Sequence, residues 1–235
     1  MLFIEKTKPP RSLLKFVALQ KSVSLHPSCK DLRSPFIEDL DQLLFEQQKG
    51  LCCYCMQALP LDSRKRTREH FLPESKFKQE EVNYYNLYLA CTDRDGTNLG
   101  HCDKTKGDIL ISKYIGHPNC GDFFKYNDKG EILPRKLSYE EWEKFKTSSK
   151  VDIFENSPET AEILATISIL KLNSSGLKLK RELFVKSLKA VLNITSTKQS
   201  CENLIGKYKN SSHSNPKPFA GVAIYFLKER LKQLA

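Results

Sequence analysis

Cysteines at helpful spacing are the first feature of this chain with chemical consequence. Cys52 and Cys55 enclose Cys53-Tyr54 directly after Gly50, and Cys91 and Cys102 follow about forty residues later. Two thiolates from one turn and two from a second segment form a tetrahedral soft-donor set, which suits structural zinc. Cys52 gives the usual ligand spacing to Cys55, with Cys53 as the alternative, and the interval from Cys91 to Cys102 is wider than a tight second knuckle. Between the two pairs lies Arg68-Glu69-His70-Phe71-Leu72-Pro73, an acid directly before a histidine. Asn86-Leu87 and Cys102-Asp103-Lys104-Thr105-Lys106-Gly107 follow it. An imidazole titrates near neutrality and carboxylates are hard oxygen donors, so this order combines a proton acceptor with ligands for a divalent cation.

Elements on either side must position these groups. Residues 51–135 hold most of the cysteines and show little sustained periodicity, the pattern of a stretch organised by a metal or ligand. Strand is expected there around 66–71 and 123–133. Before it, residues 1–50 read as a helical docking segment. A short strand-like start at Leu2–Ile4 precedes Pro9-Pro10, then apolar residues recur at helical spacing over Ser12–Leu19 and Phe36–Gln48. After it, residues 136–235 read as a basic helical region. Ser138 and Glu141 form a capping pattern, and Ser157-Pro158-Glu159 places a cap and an N1 proline before Ile163, Leu164, Ile167 and Leu170. Leu177–Leu192 and Phe219–Leu234 are further amphipathic helices, joined by a polar linker over Lys209–Lys217. The expected fold class is α+β and mainly helical.

Composition excludes several classes. The chain has 235 residues and 40% hydrophobic content, enough for a core and too much for a disordered chain. No run of 18 apolar residues exists, and the first residues lack the apolar stretch of a signal peptide, so the expected location is the cytoplasm, with no membrane partner. Reduced thiols are the rule there, which argues against a disulfide framework for the eight cysteines. The formal charge of +10 sits in residues 171–235, with thirteen Lys/Arg against three acids, while residues 1–170 balance. That tail suits an anionic partner: an acidic subunit or a nucleic-acid backbone.

The Glu69-His70, Asn86, Asp103 order with its flanking cysteines resembles the HNH, or ββα-metal, nuclease motif. The likeness extends through Phe3-Ile4-Glu5-Lys6, Lys106-Gly107-Asp108, His117-Pro118, Phe123-Phe124-Lys125-Tyr126, Gly130-Glu131-Ile132 and Ile169-Leu170-Lys171-Leu172-Asn173 to Leu177. In combination these residues are similar to the HNH subunit of Septu and retron-associated anti-phage systems, the PtuB-like family. The resemblance implies a zinc-stabilised HNH core over 51–135 and hydrolysis of DNA or RNA. It also implies an ABC/SMC-type ATPase partner, PtuA-like, and in retron versions a reverse transcriptase with its msDNA. Asp103 departs from the family, where His or Asn is usual.

Phosphodiester hydrolysis needs an activated water and relief of charge on the transition state. His70 is the expected general base. Glu69 and Asp103 are the expected ligands of a catalytic Mg²⁺ or Mn²⁺, with His101 as a rival ligand for either metal. Asn86 is expected to fix its loop and orient His70 through an amide hydrogen bond. Arg68, Lys104 and Lys106 are the expected phosphate contacts, within a wider basic group that includes Arg64, Lys65, Arg66, Lys76 and Lys78. Tyr84, Tyr85 and Tyr88 could stack on unpaired bases, though their spacing suits burial equally well. Two other readings use the same residues: a zinc-bound adaptor with a degenerate HNH site, and a free-standing toxin nuclease.

Overall fold

A computed structural model describes residues 1–23, 25–92, 100–148, 157–195 and 197–234. Among them the chain is α+β and mainly helical, with two small antiparallel sheets. The N-terminal helices are α1 (Arg11–Ser22) and α2 (Phe36–Gln47), which pack on each other. Glu38 and Asp39 lie in the first turn of α2, where the helix dipole favours negative charge. The expected strand at Leu2–Ile4 does not form. This segment is irregular and runs over the core with alternate residues turned inward.

The first sheet pairs β1 (Arg66–His70) with β2 (Leu87–Cys91), Arg66 opposite Cys91 and His70 opposite Leu87. β2 was not expected as a strand. Leu87, Leu89 and Ala90 are all buried, so its two faces are covered and the alternation that marks a half-exposed strand is missing. A single helical turn, α3 (Asp103–Lys106), follows in the chain. The second sheet pairs β3 (Phe124–Tyr126) with β4 (Ile132–Pro134).

Among the described residues five helices follow: α4 (Tyr139–Ser148), α5 (Pro158–Ile169), α6 (Ser175–Ile194), α7 (Lys198–Lys209) and α8 (Ala220–Gln233). The capping box at α4 is reciprocal, with the Glu141 N–H donating to Ser138 Oγ at 3.1 Å and the Ser138 N–H to Glu141 Oε2 at 2.7 Å. α7 was not expected, and α8 packs against both it and α6.

The three stretches of sequence share one core. Leu13, Leu40 and Leu44 meet Leu87 and Phe124 in the same buried cluster as Ile163, Leu177 and Val222. The buried Arg181 guanidinium joins the last two stretches. It donates to Gly130 O at 2.7 Å and to Asn173 Oδ1 at 3.2 Å, and Asn173 in turn brackets Ile132 through both its backbone N–H and its carbonyl. Each polar group in this junction has a partner, the condition under which burial of a charge is tolerated. No helix among the described residues is long and apolar enough to cross a membrane.

Candidate metal centre and acidic site

The tight turn over 52–56 closes with the Met56 N–H donating to Cys52 O at 3.1 Å, which turns Cys52 and Cys55 the same way. Cys91 ends β2 and Cys102 precedes α3. The four sulfur atoms lie within 4.8 Å of one another, with Cys52–Cys102 at 3.9 Å and Cys55–Cys91 at 3.7 Å. Four sulfurs placed tetrahedrally at about 2.3 Å from zinc would be about 3.8 Å apart, so the set fits that ion. The geometry settles Cys52 over Cys53 in the group. The Cys53 thiol lies outside it and is pushed well above its ordinary range by burial and by Cys52.

The electrostatics within the set are those of thiols sharing charge. At Cys52, burial acts upward, yet hydrogen bonds from Cys102, Cys53, Cys55 and Cys91 outweigh it and hold the thiol well below its usual range. Burial, followed by the bonds to Cys52, Cys55 and Cys91, pushes Cys102 well up. Four thiols packed this closely cannot all ionise unaided, and a cation is what would allow them to do so side by side. Cys102 holds its place with φ at +59° and ψ at −129°, a strained backbone for a residue with a Cβ, and its N–H donates to Leu170 O at 2.9 Å after α5. His101 Nδ1 lies 3.1 Å from Cys102 Sγ and 3.6 Å from Cys91 Sγ, which places it at the thiol cluster.

A second polar group is buried next to the first. Glu69 and Lys106 are 3% and 2% exposed, and their charged ends meet at 2.7 Å. The Tyr54 hydroxyl, from within the cysteine turn, donates to the same carboxylate at 2.8 Å. Burial, then a hydrogen bond with the Asp103 carboxyl, push Glu69 up to about 8 against the pull of Lys106. The fold therefore brings together two carboxyl groups from β1 and α3, with an ammonium on one of them. Lys106 also donates to His70 O at 2.8 Å. It was expected to meet phosphate, but its position in α3 turns it into the interior, where its charge is taken by Glu69.

His70 ends β1 in a half-buried position. Its Nε2 is 2.9 Å from Glu81 O, and its Nδ1 is 3.9 Å from Glu74 Oε2. A carbonyl only accepts, so Nε2, which Cys29 Sγ also approaches at 3.7 Å, carries a hydrogen, and Nδ1 faces the Glu74 carboxylate from beyond hydrogen-bond reach. Asn86 fixes the intervening loop at both ends of its amide. Its Oδ1 accepts from the Leu72 N–H at 2.7 Å, while Nδ2 donates to Leu72 O and to Glu80 O, each at 3.0 Å. The expected bond from Asn86 to His70 is replaced by these three, because the amide is fully used on the loop backbone.

The remaining basic residues divide by surroundings. Arg68 pairs with Asp41 at 3.3 Å, Arg64 with Asp62 at 3.0 Å, and the Arg66 guanidinium lies 4.3 Å from the centre of the Phe45 ring. Lys104 is exposed on the outer side of α3. Tyr84 is buried and Tyr88 half-buried, with the Lys6 ammonium between their rings at 4.5 and 4.2 Å, while Tyr85 is 54% exposed. Tyr54, Glu81 and Cys29 belong to the surroundings of this site and were not anticipated. Only Tyr54 carried a signal, by its place between the knuckle cysteines.

Fold and site together define an α+β chain in which a four-cysteine centre able to hold a metal such as zinc adjoins a buried glutamate paired with a half-buried aspartate, and a half-buried histidine. No family model matches it. The chain is similar to Septu protein PtuB of Bacillus thuringiensis, 26% identical over 139 residues, or 59% of this chain. It matches 52% of that protein, about half of its length, and the likeness supports a distant PtuB-like relation.

Proposed function

We propose that this chain is a metal-dependent HNH endonuclease, the effector subunit of a Septu-like anti-phage complex with an ABC/SMC-type ATPase. The observation that carries the reading is the order β1, pinned loop, β2, α3. It places Glu69 beside Asp103 and leaves Nδ1 of His70 open, next to four clustered cysteines. The similarity to PtuB supports the defence context.

On this reading Cys52, Cys55, Cys91 and Cys102 hold structural zinc, and Glu69 with Asp103 would hold Mg²⁺ or Mn²⁺. That ion would supply charge relief at the scissile phosphate. His70 takes the proton of the attacking water at Nδ1, which its Nε2–H bond leaves as the acceptor. Asn86 keeps the loop behind His70 in place. Lys104 and Arg68 are the residues of the basic group nearest this site that retain exposure for phosphate, Arg68 in part.

Co-purification with a PtuA-like ATPase, followed by incubation with DNA and RNA in Mg²⁺ or Mn²⁺, tests the proposal. Cleavage by the wild-type complex and its loss in His70→Ala are the expected results, and equal cleavage by both overturns the assignment. One observation favours a second reading, a zinc-bound adaptor: the Lys106 ammonium already sits on Glu69. Stoichiometric zinc without nuclease activity in any complex would select it.

A further inference from the structure

The carbonyl that accepts the hydrogen bond from His70 Nε2–H belongs to a residue whose own side chain is firmly held. Glu81 is 3% exposed. Its Oε1 accepts from the Ser28 hydroxyl and from the Cys29 N–H at 3.0 Å, and its Oε2 lies 4.0 Å from Lys78 Nζ. The Cys29 thiol donates to Glu81 O at 3.0 Å, so Cys29 grips both ends of the same residue. One residue earlier, Glu80 O is held by Asn86. At the Glu81 carboxyl, burial acts upward, but the bonds from Ser28 and Cys29 prevail and hold it below the ordinary carboxylate range.

This arrangement is more than a loop anchor. The donors come from the segment between α1 and α2, far from β1 in sequence. Donors on the carboxylate, with the Cys29 thiol on the carbonyl, limit how far Glu81 can move, and the carbonyl so held determines which imidazole nitrogen carries the hydrogen and how the ring is turned.

We propose that Glu81 is a positioning residue for His70. Through Ser28 and Cys29 it holds the carbonyl that keeps Nε2–H inward and Nδ1 open. The open nitrogen matters only if His70 is the base, so in that respect the inference rests on the nuclease reading. The hydrogen-bond relay itself can be read without activity.

The test uses the full chain with zinc bound and ¹⁵N-labelled histidine, at a pH above imidazole titration, with His70→Asn to assign the signals. Wild type should show a His70 Nε2–H proton protected from solvent exchange. Glu81→Ala should lose that protection, and Glu81→Gln, which retains an acceptor, should restore most of it. Should Glu81→Ala fail to fold, judged by zinc content and amide spectrum, Ser28→Ala takes its place and should partly lower protection. In the ATPase complex, Glu81→Ala should lower kcat by roughly 10–100-fold at unchanged KM, as for other residues that orient a functional imidazole. Protection unchanged in Glu81→Ala, or absent in wild type, overturns the proposal. A relay confirmed by exchange in a complex that cuts nothing overturns the nuclease reading instead, and with it the role of Nδ1.

Discussion

Replacing Lys106 with methionine keeps the length of the side chain and removes its charge. In the wild type the ammonium is buried against Glu69 at 2.7 Å, and Glu69 has been pushed up to about 8. A carboxyl raised in this way favours the folded state while protonated, so its contribution is present in acid and is lost as pH rises from about 4.5 to 8. Without Lys106 one downward pull disappears, and the Glu69 titration moves higher still. At pH ~6 the carboxyl is neutral in both proteins, so the substitution costs only unmet acceptors at Glu69 and at His70 O, about 1–3 kcal/mol. At pH ~9.5 the wild type is ionised and paired, whereas the variant must stay protonated against the solution. That adds about 1.4 kcal/mol per pH unit, or roughly 2 kcal/mol over the interval above 8, and brings the total cost to about 3–5 kcal/mol, the range typical of a broken buried pair. Urea unfolding of both proteins in zinc-containing buffer at the two pH values measures the difference, provided the slope with denaturant is unchanged. A loss that is equal at both values, or larger in acid, would refute the reasoning.

Further outcomes follow from single contacts. Cys55→Ser should bind substoichiometric zinc and unfold at a chelator concentration the wild type withstands, as metal analysis and circular dichroism would show; unchanged zinc would remove Cys55 from the ligand set. Gly130 has φ at +70°, and an added Cβ would lie 2.2 Å from Lys178 O and 2.7 Å from Glu182 N, both backbone atoms of α6. Gly130→Ala should therefore cost about 2–4 kcal/mol and lower Tm by on the order of 10 °C in calorimetry. Lys6 is lowered to about 7 by burial, against a smaller upward effect from Cys53, so its Nζ resonance should titrate near neutrality in ¹⁵N-lysine spectra. Since the unfolded lysine holds its proton to higher pH, folding should gain stability from this group between about 7 and 10.5; a midpoint above pH ~9 would exclude the effect.

Much of this molecule could be read where one sequence signal served one structural purpose. The capping pair Ser138 and Glu141, the proline opening α5 and the apolar spacing of α2 all act locally, and each appears in place. The knuckle was legible because Cys52 and Cys55 share a turn, while the partnership of Cys91 with Cys102 depended on the rest of the fold. α7 was hidden by its polar sequence. It is held by packing on α8, and among its residues only Cys201 is fully buried. Lys106 shows the same limit at the site. In Asp103-Lys104-Thr105-Lys106 two lysines look alike, and only the turn of α3 sends one outward and the other to Glu69. Glu81 stands beside Glu80 with nothing in the sequence to separate them; the difference lies in the Ser28–Cys29 segment that reaches one of them.

The bond from the Cys102 N–H to Leu170 O has a consequence for the order of events on the ribosome. Cys102 leads directly into α3 and Asp103, yet its strained backbone is secured by a carbonyl far later in the chain. At synthesis rates of about 5–20 residues per second, the segment bearing Cys102 waits several seconds before that acceptor is made. During this interval the N-terminal helices and the first sheet can form, while the last thiol and the second carboxyl remain without their anchor. The nascent protein is thereby assembled with its acidic site completed late, after most of the chain that surrounds it has been translated.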